Sequence, residues 1–520
     1  MTETTVAVTE LALFCHRSGD IDGRFRPSPT GPEGIAGHQR LYKRRAATWL
    51  TEYKVEYAFE FEEISIQLRG RADGYDPAAA IVEEIKTCRV SPESIPAAVS
   101  ALHFSQCKLY AALIARDKNL EGLEVRLTWL NIDTDEEFGE SEYYSSEALD
   151  AFLHESLRRY CTWLQQVEAK RAARNLSAEA LAFPYGDFRE GQRDIAELAY
   201  KCIDQGGQLM LEAPTGIGKT AALMYPALKA MARQKHNKIV FVTARNTGRL
   251  TADDTLRHFQ GAGLQGSALT LTAKERICFS PGKACHGDDC PYARDYYEKL
   301  PACMDKALQR PSLCREDIEE LARDFEVCPY ELALDLLPWI DIVIADQHYT
   351  YSLYALLSSP MDERGQRWTL MLDEAHNLPE RARSMYSASL TKLSLMKARR
   401  ECSNALAKAL ERINRCMLSL QKVDWQAPDF HSDTEIPNKL AKAIEHFIAG
   451  VSQDLGTDPA LLARAPQLAD FYFDALHFLR VIEEWGPEYR LQLYRSEKKQ
   501  SLKITLNCLD AARLLARRQD

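Results

Sequence analysis

The segment EAPTGIGKT at residues 212–220 constrains the fold of this chain more than any other feature, although Ala213 replaces the first glycine of the usual pattern. It follows the apolar run QLMLEA, which predicts a strand, and it opens a stretch with helical spacing. Backbone N–H groups of such a loop cradle phosphates, and the helix N-terminus favours their negative charge. The segment predicts an α/β nucleotide-binding fold, and a tight turn with an incidental lysine is the alternative. The predicted phosphate cradle consists of Gly216, Gly218, Lys219 and Thr220.

A pair of carboxylates follows a second apolar strand, in the sequence WTLMLDEAH. Asp373 and Glu374 fall at the C-terminal end of that strand, where parallel sheets bind ligands. We expect Asp373 and the Thr220 hydroxyl to hold Mg²⁺, Lys219 to reach the β- and γ-phosphates, and Glu374 to polarise the attacking water. An N-cap pair for the next helix is the alternative reading of the carboxylates alone. Gln192, in FREGQR ahead of the loop, is spaced to read adenine.

Composition narrows the class of protein. A chain of 520 residues, 46% of them hydrophobic, is long enough for about three or four domains and is not largely disordered. The net charge of −10 excludes nucleic-acid binding by bulk positive charge but allows a local basic groove. The sequence contains no run of eighteen apolar residues and no secretory signal, so we expect a cytoplasmic protein without a membrane partner.

Fourteen cysteines in such a chain indicate metal ligands or buried thiols rather than disulfides. Four of them lie in an irregular region that interrupts the predicted strands and helices, and sets of four thiolates bind iron–sulfur clusters. Three alternatives remain open: structural zinc with His286 as a ligand, unligated thiols, or a set that includes Cys303 or Cys314. The four candidates are Cys278, Cys285, Cys290 and Cys328.

A third group of polar residues lies near the N-terminus. Glu84 and Lys86 are two apart on a predicted strand, so their side chains share one face. Asp73 on the neighbouring strand completes a carboxylate pair for Mg²⁺ or Mn²⁺, and the lysine can stabilise charge or position a water. A solvated edge strand is the alternative. Supporting candidates are His38 on an early helix and, four apart on one helix face, Gln106 and Tyr110.

Residues 183–510 resemble the iron–sulfur XPD/DinG branch of the DEAH-box superfamily-two helicases. APTGIGKT, VTARNTG, LTAKERIC, CPYELALD, IADQHYTY and LDEAHNL occur in the order of that family. The resemblance implies a RecA-like motor domain that uses ATP to move along single-stranded or forked DNA, with 5′-to-3′ polarity. It also implies a 4Fe–4S cluster on the four cysteines and a helical arch domain. Aromatic residues in HYTYSLY at 348–354 are candidates for base stacking.

Residues 1–130 resemble the PD-(D/E)xK nucleases of the RecB type, through GRADG, EEIKT, the Q-x-x-x-Y helix and His38. The literal Pro-Asp is absent, because Asp73 follows Ala72. The resemblance implies metal-dependent DNA cleavage by Asp73, Glu84 and Lys86. Only Cys161 lies downstream nearby, so we expect no second cluster in this domain.

The predicted fold is α/β in the nuclease-like domain and in the RecA-like domain, and helical in the arch domain. No later helicase motif occurs, so we expect a truncated form or a split-gene product whose second RecA-like lobe is supplied by another chain. The resulting hypotheses are a helicase–nuclease of DNA repair or processing, a Mg²⁺- or Mn²⁺-dependent nuclease that only binds ATP and DNA, and a non-catalytic DNA-binding fragment. The predicted domains are nuclease-like 1–135, helical connector 136–182, first RecA-like domain 183–379 with cluster insertion 271–332, helical arch 380–503, and a return towards the motor at 504–520.

Overall fold

The computed structural model describes residues 2–23, 28–214, 216–244, 246–357, 366–458, 460–495 and 501–517. The chain forms two compact units. The first unit comprises residues 1–169, 285–299 and 453–459, and the second unit comprises 170–284, 300–452 and 460–520. The first unit therefore extends beyond the predicted nuclease-like domain and includes part of the cysteine-rich region.

The first unit contains a six-stranded mixed sheet in the order β1-β3-β4-β5-β6, with β2 paired to β3. The pairs β1–β3 and β4–β5 are parallel and the others are antiparallel. The strands are β1 Thr2–Ala7, β2 Leu50–Phe61, β3 Ile64–Asp76, β4 Ile81–Cys88, β5 Gly122–Asn131 and β6 Glu137–Ser145. The helices described within residues 2–180 are α1 Val8–His16, α2 Gly31–Arg44, α3 Ala97–Lys118 and α4 Ser146–Ala180, with a 3₁₀ turn at Pro92–Ser94.

The β-rich pattern of residues 5–15 predicts a strand and the spacing of residues 37–53 predicts a helix, and both predictions were wrong in part. Residues 5–15 are not one strand, because β1 ends at Ala7 and a helix begins at Val8. The spacing of the buried Val8, Leu11, Ala12 and Cys15 is helical, and this outweighs the β-branched start of the segment. The helix predicted at 37–53 ends at Arg44, and the strand β2 begins at Leu50.

The second unit contains a five-stranded parallel sheet in the order β11-β7-β10-β8-β9, which confirms the predicted α/β motor-type fold. Its core packs α6 and α7 against strand residues such as Phe241 and Ile344. The strands are β7 Lys238–Thr243, β8 Ala268–Thr270, β9 Ser312–Leu313, β10 Ile342–Asp346 and β11 Trp368–Leu372. The helices of this part are α5 Gln192–Gln205, α6 Lys219–Ala232, α7 Asn246–Gly261, α8 Lys274–Ile277, α9 Tyr296–Leu308, α10 Arg315–Asp324, α11 Pro329–Leu336 and α12 His348–Tyr351, with a 3₁₀ turn at Leu337–Trp339.

The strand predicted at QLMLEA is wrong. Residues 207–214 have no regular secondary structure, and Met210 is 95% exposed. Apolar character alone does not make a strand, because a strand also needs a partner for its backbone N–H and C=O groups.

Residues 380–500, predicted to be almost wholly helical, also contain strands. Four strands pair antiparallel in the order β12-β15-β14-β13. YRLQLYR and LKITLNC alternate between buried and more exposed positions, so the period-two signal was present in the sequence. The strands are β12 Ala388–Thr391, β13 Phe430–Asp433, β14 Tyr489–Arg495 and β15 Leu502–Cys508. The helices are α13 Leu378–Met385, α14 Lys392–Ala398, α15 Asn404–Leu420, α16 Asn438–Thr457, α17 Leu461–Arg464, α18 Pro466–Glu483 and α19 Ala512–Ala516, with a 3₁₀ turn at Ala375–Asn377.

No helix within the described part of the chain is long and apolar enough to cross a membrane.

Candidate functional site

The phosphate loop enters α6 through two glycines with left-handed backbone. Gly216 has φ +84° and Gly218, the N-cap of α6, has φ +86°. A Cβ atom on Gly218 would lie 2.7 Å from Nε2 of Gln192, so both conformation and space require glycine there. The loop thus places the first turn of α6, with Lys219 and the half-buried Thr220, directly after the glycines.

Lys219 lies against its own loop. Its Nζ donates to the carbonyl oxygens of Ala213 at 3.1 Å and Pro214 at 3.4 Å. A phosphate oxygen carries more negative charge than a peptide carbonyl and forms a stronger hydrogen bond to an ammonium group. A phosphate bound in this loop would therefore replace the two carbonyl oxygens as the hydrogen-bond partner of Lys219.

The carboxylate pair lies at the end of β11. The Asp373 N–H donates to the Val242 carbonyl at 2.8 Å, which continues the pairing of β11 with β7, and Glu374 then turns into a left-handed conformation with φ 51°. Burial and repulsion from Glu374 raise the pKa of Asp373, while the charge of Lys219 and a hydrogen bond with Thr243 partly oppose this. A carboxyl group that resists ionisation beside a second carboxylate suits a divalent cation, whose charge relieves the repulsion between them. The donor set therefore fits Mg²⁺ held with a nucleotide.

Gln192 is 4% exposed and bonds the protein backbone through both ends of its amide. Its Oε1 accepts from the Arg189 N–H at 3.0 Å, and its Nε2 donates to the Gly218 carbonyl at 3.4 Å. The Arg189 guanidinium also donates to the Gly216 carbonyl. Gln192 thus ties the preceding segment to the phosphate loop, and its role in reading adenine stays a prediction.

Sequence reasoning missed two residues beside Asp373. Thr243 ends β7, and Gly248 lies in the first turn of α7. A Cβ atom on Gly248 would lie 2.2 Å from Thr243 Oγ1 and 2.8 Å from Asp373 Oδ2, so the helix approaches the carboxylate as closely as only glycine permits. Both residues belong to VTARNTG, a motif that was noted without a role for any single residue.

The N-terminal candidates converge in the first unit. Nδ1 of His38 lies 3.4 Å from Asp73 Oδ1, and the Ile85 N–H donates to Asp73 Oδ2 at 2.7 Å. That bond exists because β3 and β4 pair antiparallel near Gly74, which brings Asp73 beside Glu84. The hydrogen bond with Asp73 raises the pKa of His38, although burial opposes it.

Three supporting side chains surround Glu84, which is 3% exposed. Lys86 Nζ lies 2.7 Å from Glu84 Oε1, and Gln106 Nε2 donates to the same oxygen at 2.8 Å. Gln106 also contacts the Tyr110 hydroxyl at 3.4 Å, one turn along α3. Burial, followed by repulsion from Asp73, raises the pKa of Glu84 to about 7, and Lys86 partly opposes this. The structure thus brings together all six N-terminal residues predicted from the sequence.

Among the described residues, no three His, Cys, Asp or Glu side chains form a ready-made metal site. This holds for His38, Asp73 and Glu84 as well as for the cysteines. At Glu84, however, burial and the neighbouring Asp73 carboxylate make ionisation of the glutamate unfavourable, and a divalent cation relieves both effects. The donor chemistry of this group therefore fits Mg²⁺ or Mn²⁺.

The four cysteines predicted to hold a cluster are divided between the units. Cys285 and Cys290 belong to the first unit and Cys278 and Cys328 to the second, so the structure does not bring the four together within one unit. No disulfide links the described cysteines, and the cluster stays a prediction from the resemblance.

The two alternative cysteines have structural roles. Cys303 is buried in α9, and burial raises the pKa of its thiol to about 12. Cys314 is the N-cap of α10 and donates to Asp317 at 2.8 Å. His286, the alternative zinc ligand, lies 3.1 Å from the Asp288 carboxylate.

Two family models of helicases match the region around the phosphate loop. The DEAD/DEAH box helicase model matches residues 193–269, and the DEAD_2 model matches residues 266–395. Residues 193–395 are thus similar to DEAD/DEAH box helicases. The matched region contains Lys219, the carboxylate pair and the missed residues of VTARNTG.

Several curated helicases are similar to the chain. The general transcription and DNA repair factor IIH helicase subunit XPD of Arabidopsis thaliana is 23% identical over 253 residues, 42% of this chain and 33% of that protein. A probable ATP-dependent helicase of Methanocaldococcus jannaschii is 27% identical over 210 residues, 39% of this chain and 30% of that protein. The chain thus spans about a third of the length of these relatives.

Two solved structures also resemble the chain. The match to an XPD helicase structure covers 64% of this chain and 57% of the helicase chain, with a TM-score of 0.43 and 16% sequence identity. The match to a truncated XPD covers 62% of this chain and 89% of the truncated XPD chain, with a TM-score of 0.42 and 16% sequence identity. Both scores are below 0.5, so the similarity to helicases rests on the sequence comparisons.

Replacing Gly248 by Ala tests the close approach at the nucleotide site. The added methyl group meets Thr243 and Asp373 at less than van der Waals distance. We expect a loss of Mg–ADP affinity of about tenfold or more, because overpacking of this kind costs ~1–3 kcal/mol. Isothermal titration calorimetry with Mg–ADP measures it. The control is Gly261→Ala at the end of the same helix, where a Cβ meets nothing within 4 Å. Equal losses in both variants would contradict the assignment.

The raised pKa of Glu84 predicts a pH-dependent response to Mn²⁺. The folded chain retains a proton that the unfolded chain loses near the ordinary value of 4.5, so without divalent ions the stability of the first unit falls as pH rises towards and through 7. Mn²⁺ binds the carboxylate form, so the rise in melting temperature on adding Mn²⁺ is larger at about pH 8 than at about pH 5.5. Differential scanning fluorimetry measures this difference.

We expect Glu84→Gln to reduce both the Mn²⁺ effect and its pH dependence, because the amide carries no charge for the ion and does not titrate; the pH dependence that remains comes from His38. Glu60→Gln, an exposed position on β2, is the control and should behave as the parent chain. A Mn²⁺ effect that is the same at both pH values in the parent chain would show that Glu84 is not a ligand.

Proposed function

We propose that the chain provides the first motor lobe of an ATP-dependent DNA helicase that moves 5′-to-3′ on single-stranded DNA in repair or processing. The observation that carries the proposal is the placement of Asp373 beside Thr243 at the carboxyl edge of the parallel sheet, where the charge of Lys219 from the phosphate loop acts on it. In this proposal Lys219 binds the β- and γ-phosphates. Thr220 and Asp373 hold Mg²⁺, and Glu374 orients the attacking water.

The proposal includes a second lobe outside this chain. Hydrolysis drives movement when a second RecA-like lobe closes on the γ-phosphate and brings arginines to it. The proposed partners are therefore ATP, single-stranded or forked DNA, and a chain or segment that supplies this lobe.

Nucleotide turnover tests the motor proposal. We expect Mg²⁺-dependent ATP hydrolysis that increases when an oligo(dT) single strand is added, measured as released phosphate. Lys219→Ala should lower turnover about a hundredfold or more, because it removes the positive charge that stabilises the transferring phosphoryl group. The control is Lys201→Ala, an exposed lysine of α5. Binding of ATP without turnover would mean that this chain binds nucleotide but is not by itself a motor.

We also propose that the first unit is a metal-dependent DNA nuclease. The buried Glu84 beside Asp73, with Lys86 on the same carboxylate, is the observation that favours it. When bound, Mg²⁺ or Mn²⁺ supplies a Lewis acid that polarises the phosphodiester and activates water. His38, Asp73 and Glu84 are the proposed ligands. Lys86 is placed to stabilise charge on the phosphate, and Gln106 and Tyr110 hold Glu84 in position.

Cleavage of DNA tests the nuclease proposal. We expect the purified chain to cleave a labelled single-stranded oligonucleotide with Mn²⁺, and Asp73→Asn to abolish cleavage because it removes a ligand charge. Asp117→Asn, at an exposed aspartate of α3, is the control and should retain cleavage. Cleavage without ATP turnover would leave a nuclease that only binds ATP, and the absence of both activities would leave a DNA-binding fragment.

A further inference from the structure

Helix α13, which follows the carboxylate pair, is tied to the end of β10 and to the residue after β7 by Arg381. Nη2 of Arg381 lies 3.1 Å from each oxygen of the Asp346 carboxylate, and Nη1 donates to the Ala244 carbonyl at 2.5 Å. Nδ1 of His348 contacts the same carboxylate at 2.7 Å. Burial alone would raise the pKa of Asp346, but the bonds from His348 and the charge of Arg381 lower it below its ordinary value. The pair is therefore ionised at neutral pH.

A second tether joins the far end of α13 to the same segment. The Tyr386 hydroxyl, directly after the helix, donates to the Tyr351 carbonyl at 2.5 Å, and both tyrosines are buried. Tyr351 is the last residue of α12. Helix α13 is thus bonded near both ends to residues 346–351, and a displacement of one segment displaces the other.

The helix is also joined closely to the nucleotide site. A single 3₁₀ turn, Ala375–Asn377, separates Glu374 from Leu378, the first residue of α13. The Asn377 N–H and side-chain amide donate to the Glu374 carbonyl at 3.0 and 3.3 Å. A shift of Glu374 towards a bound nucleotide therefore moves the start of the helix with it.

The other segment carries an exposed aromatic side chain. Tyr354 lies three residues after α12 and is 62% exposed, with the ring of His477 at 6.1 Å. Exposed tyrosines are suited to stacking on the bases of a single strand, because every base presents a π-face. The anchored residues 346–351 thus lead directly to a side chain that can contact nucleic acid.

We propose that α13 couples nucleotide binding to single-stranded DNA binding, with Arg381 and Tyr386 as positioning residues and Tyr354 as a contact to a base. The inference rests on the proposed motor function. It adds a specific route, from Glu374 through α13 to residues 346–354. Coupling of this kind is a free energy shared by two sites. If a bound nucleotide changes the affinity for DNA by a given factor, bound DNA changes the affinity for the nucleotide by the same factor.

The test is the DNA affinity of the full chain with and without nucleotide. Fluorescence anisotropy of a labelled oligo(dT) strand, with and without a non-hydrolysable ATP analogue and Mg²⁺, yields the ratio of the two affinities. We expect a ratio of about fivefold or more in the parent chain, in the usual range for linked sites. In Arg381→Gln the ratio should fall to near one, while nucleotide alone and DNA alone still bind.

Four further variants separate coupling from folding. Arg383→Gln, on an exposed position of the same helix, should retain the parent ratio. Arg381→Lys keeps the charge but loses the second terminal nitrogen, which bonds the Ala244 carbonyl, and should have an intermediate ratio. Tyr386→Phe removes one hydrogen bond at nearly constant volume and should reduce the ratio. Tyr354→Ala should weaken DNA binding both with and without nucleotide.

The inference is overturned if the parent chain binds both ligands with a ratio near one, or if Arg381→Gln keeps the parent ratio. In both cases the proposed motor function stands, because nucleotide and DNA still bind. A parent chain that binds neither ligand would instead contradict the proposed function, and with it the coupling.

Discussion

The parallel pairing of β7 with β10 and β11 is the constraint on which the rest of the second unit depends. Thr243 and Asp346 lie opposite each other in the register, and Asp373 follows directly after the last residue of β11. Parallel strands buried on both faces are apolar along their length, so their polar residues collect where the strands end. One edge of the sheet therefore carries Asp373, the neighbouring Thr243, and Asp346, which binds Arg381 of α13. A change in register of a single strand would separate them.

Both candidate sites place two carboxylates together and balance them with one lysine. Asp373 adjoins Glu374 near Lys219, and Glu84 adjoins Asp73 with Lys86 on its oxygen. In each case burial and like charge raise the pKa of one carboxyl group, since the ionised pair is costly away from water. Such a pair favours binding of a divalent cation, whose charge outweighs that of a single lysine. The two candidate sites thus combine the same physical features, and each lies on the sheet of its own unit.

Sequence predictions were correct where the interactions involved join residues close together in the chain. Glu84 and Lys86 were placed on one face by the two-residue period of a strand, and Gln106 and Tyr110 by the four-residue spacing of a helix. These are local regularities of the backbone. QLMLEA failed for the opposite reason, because a strand exists only when a partner bonds its backbone. In the C-terminal region the alternation in YRLQLYR and LKITLNC was visible, but neighbouring helical segments concealed it.

The sequence by itself determined the parallel α/β character of the motor region, the glycine-rich loop, the carboxylate pair and the order of the helicase motifs. Each of these depends on residues close together in the chain. Only the tertiary structure decided that Gly248 lies against Asp373, that Gln106 bonds Glu84, and that Arg381 reaches Asp346. The physical reason is that these contacts join different elements of the fold. Their distances and pKa shifts follow from packing and burial, which no periodicity within one segment encodes.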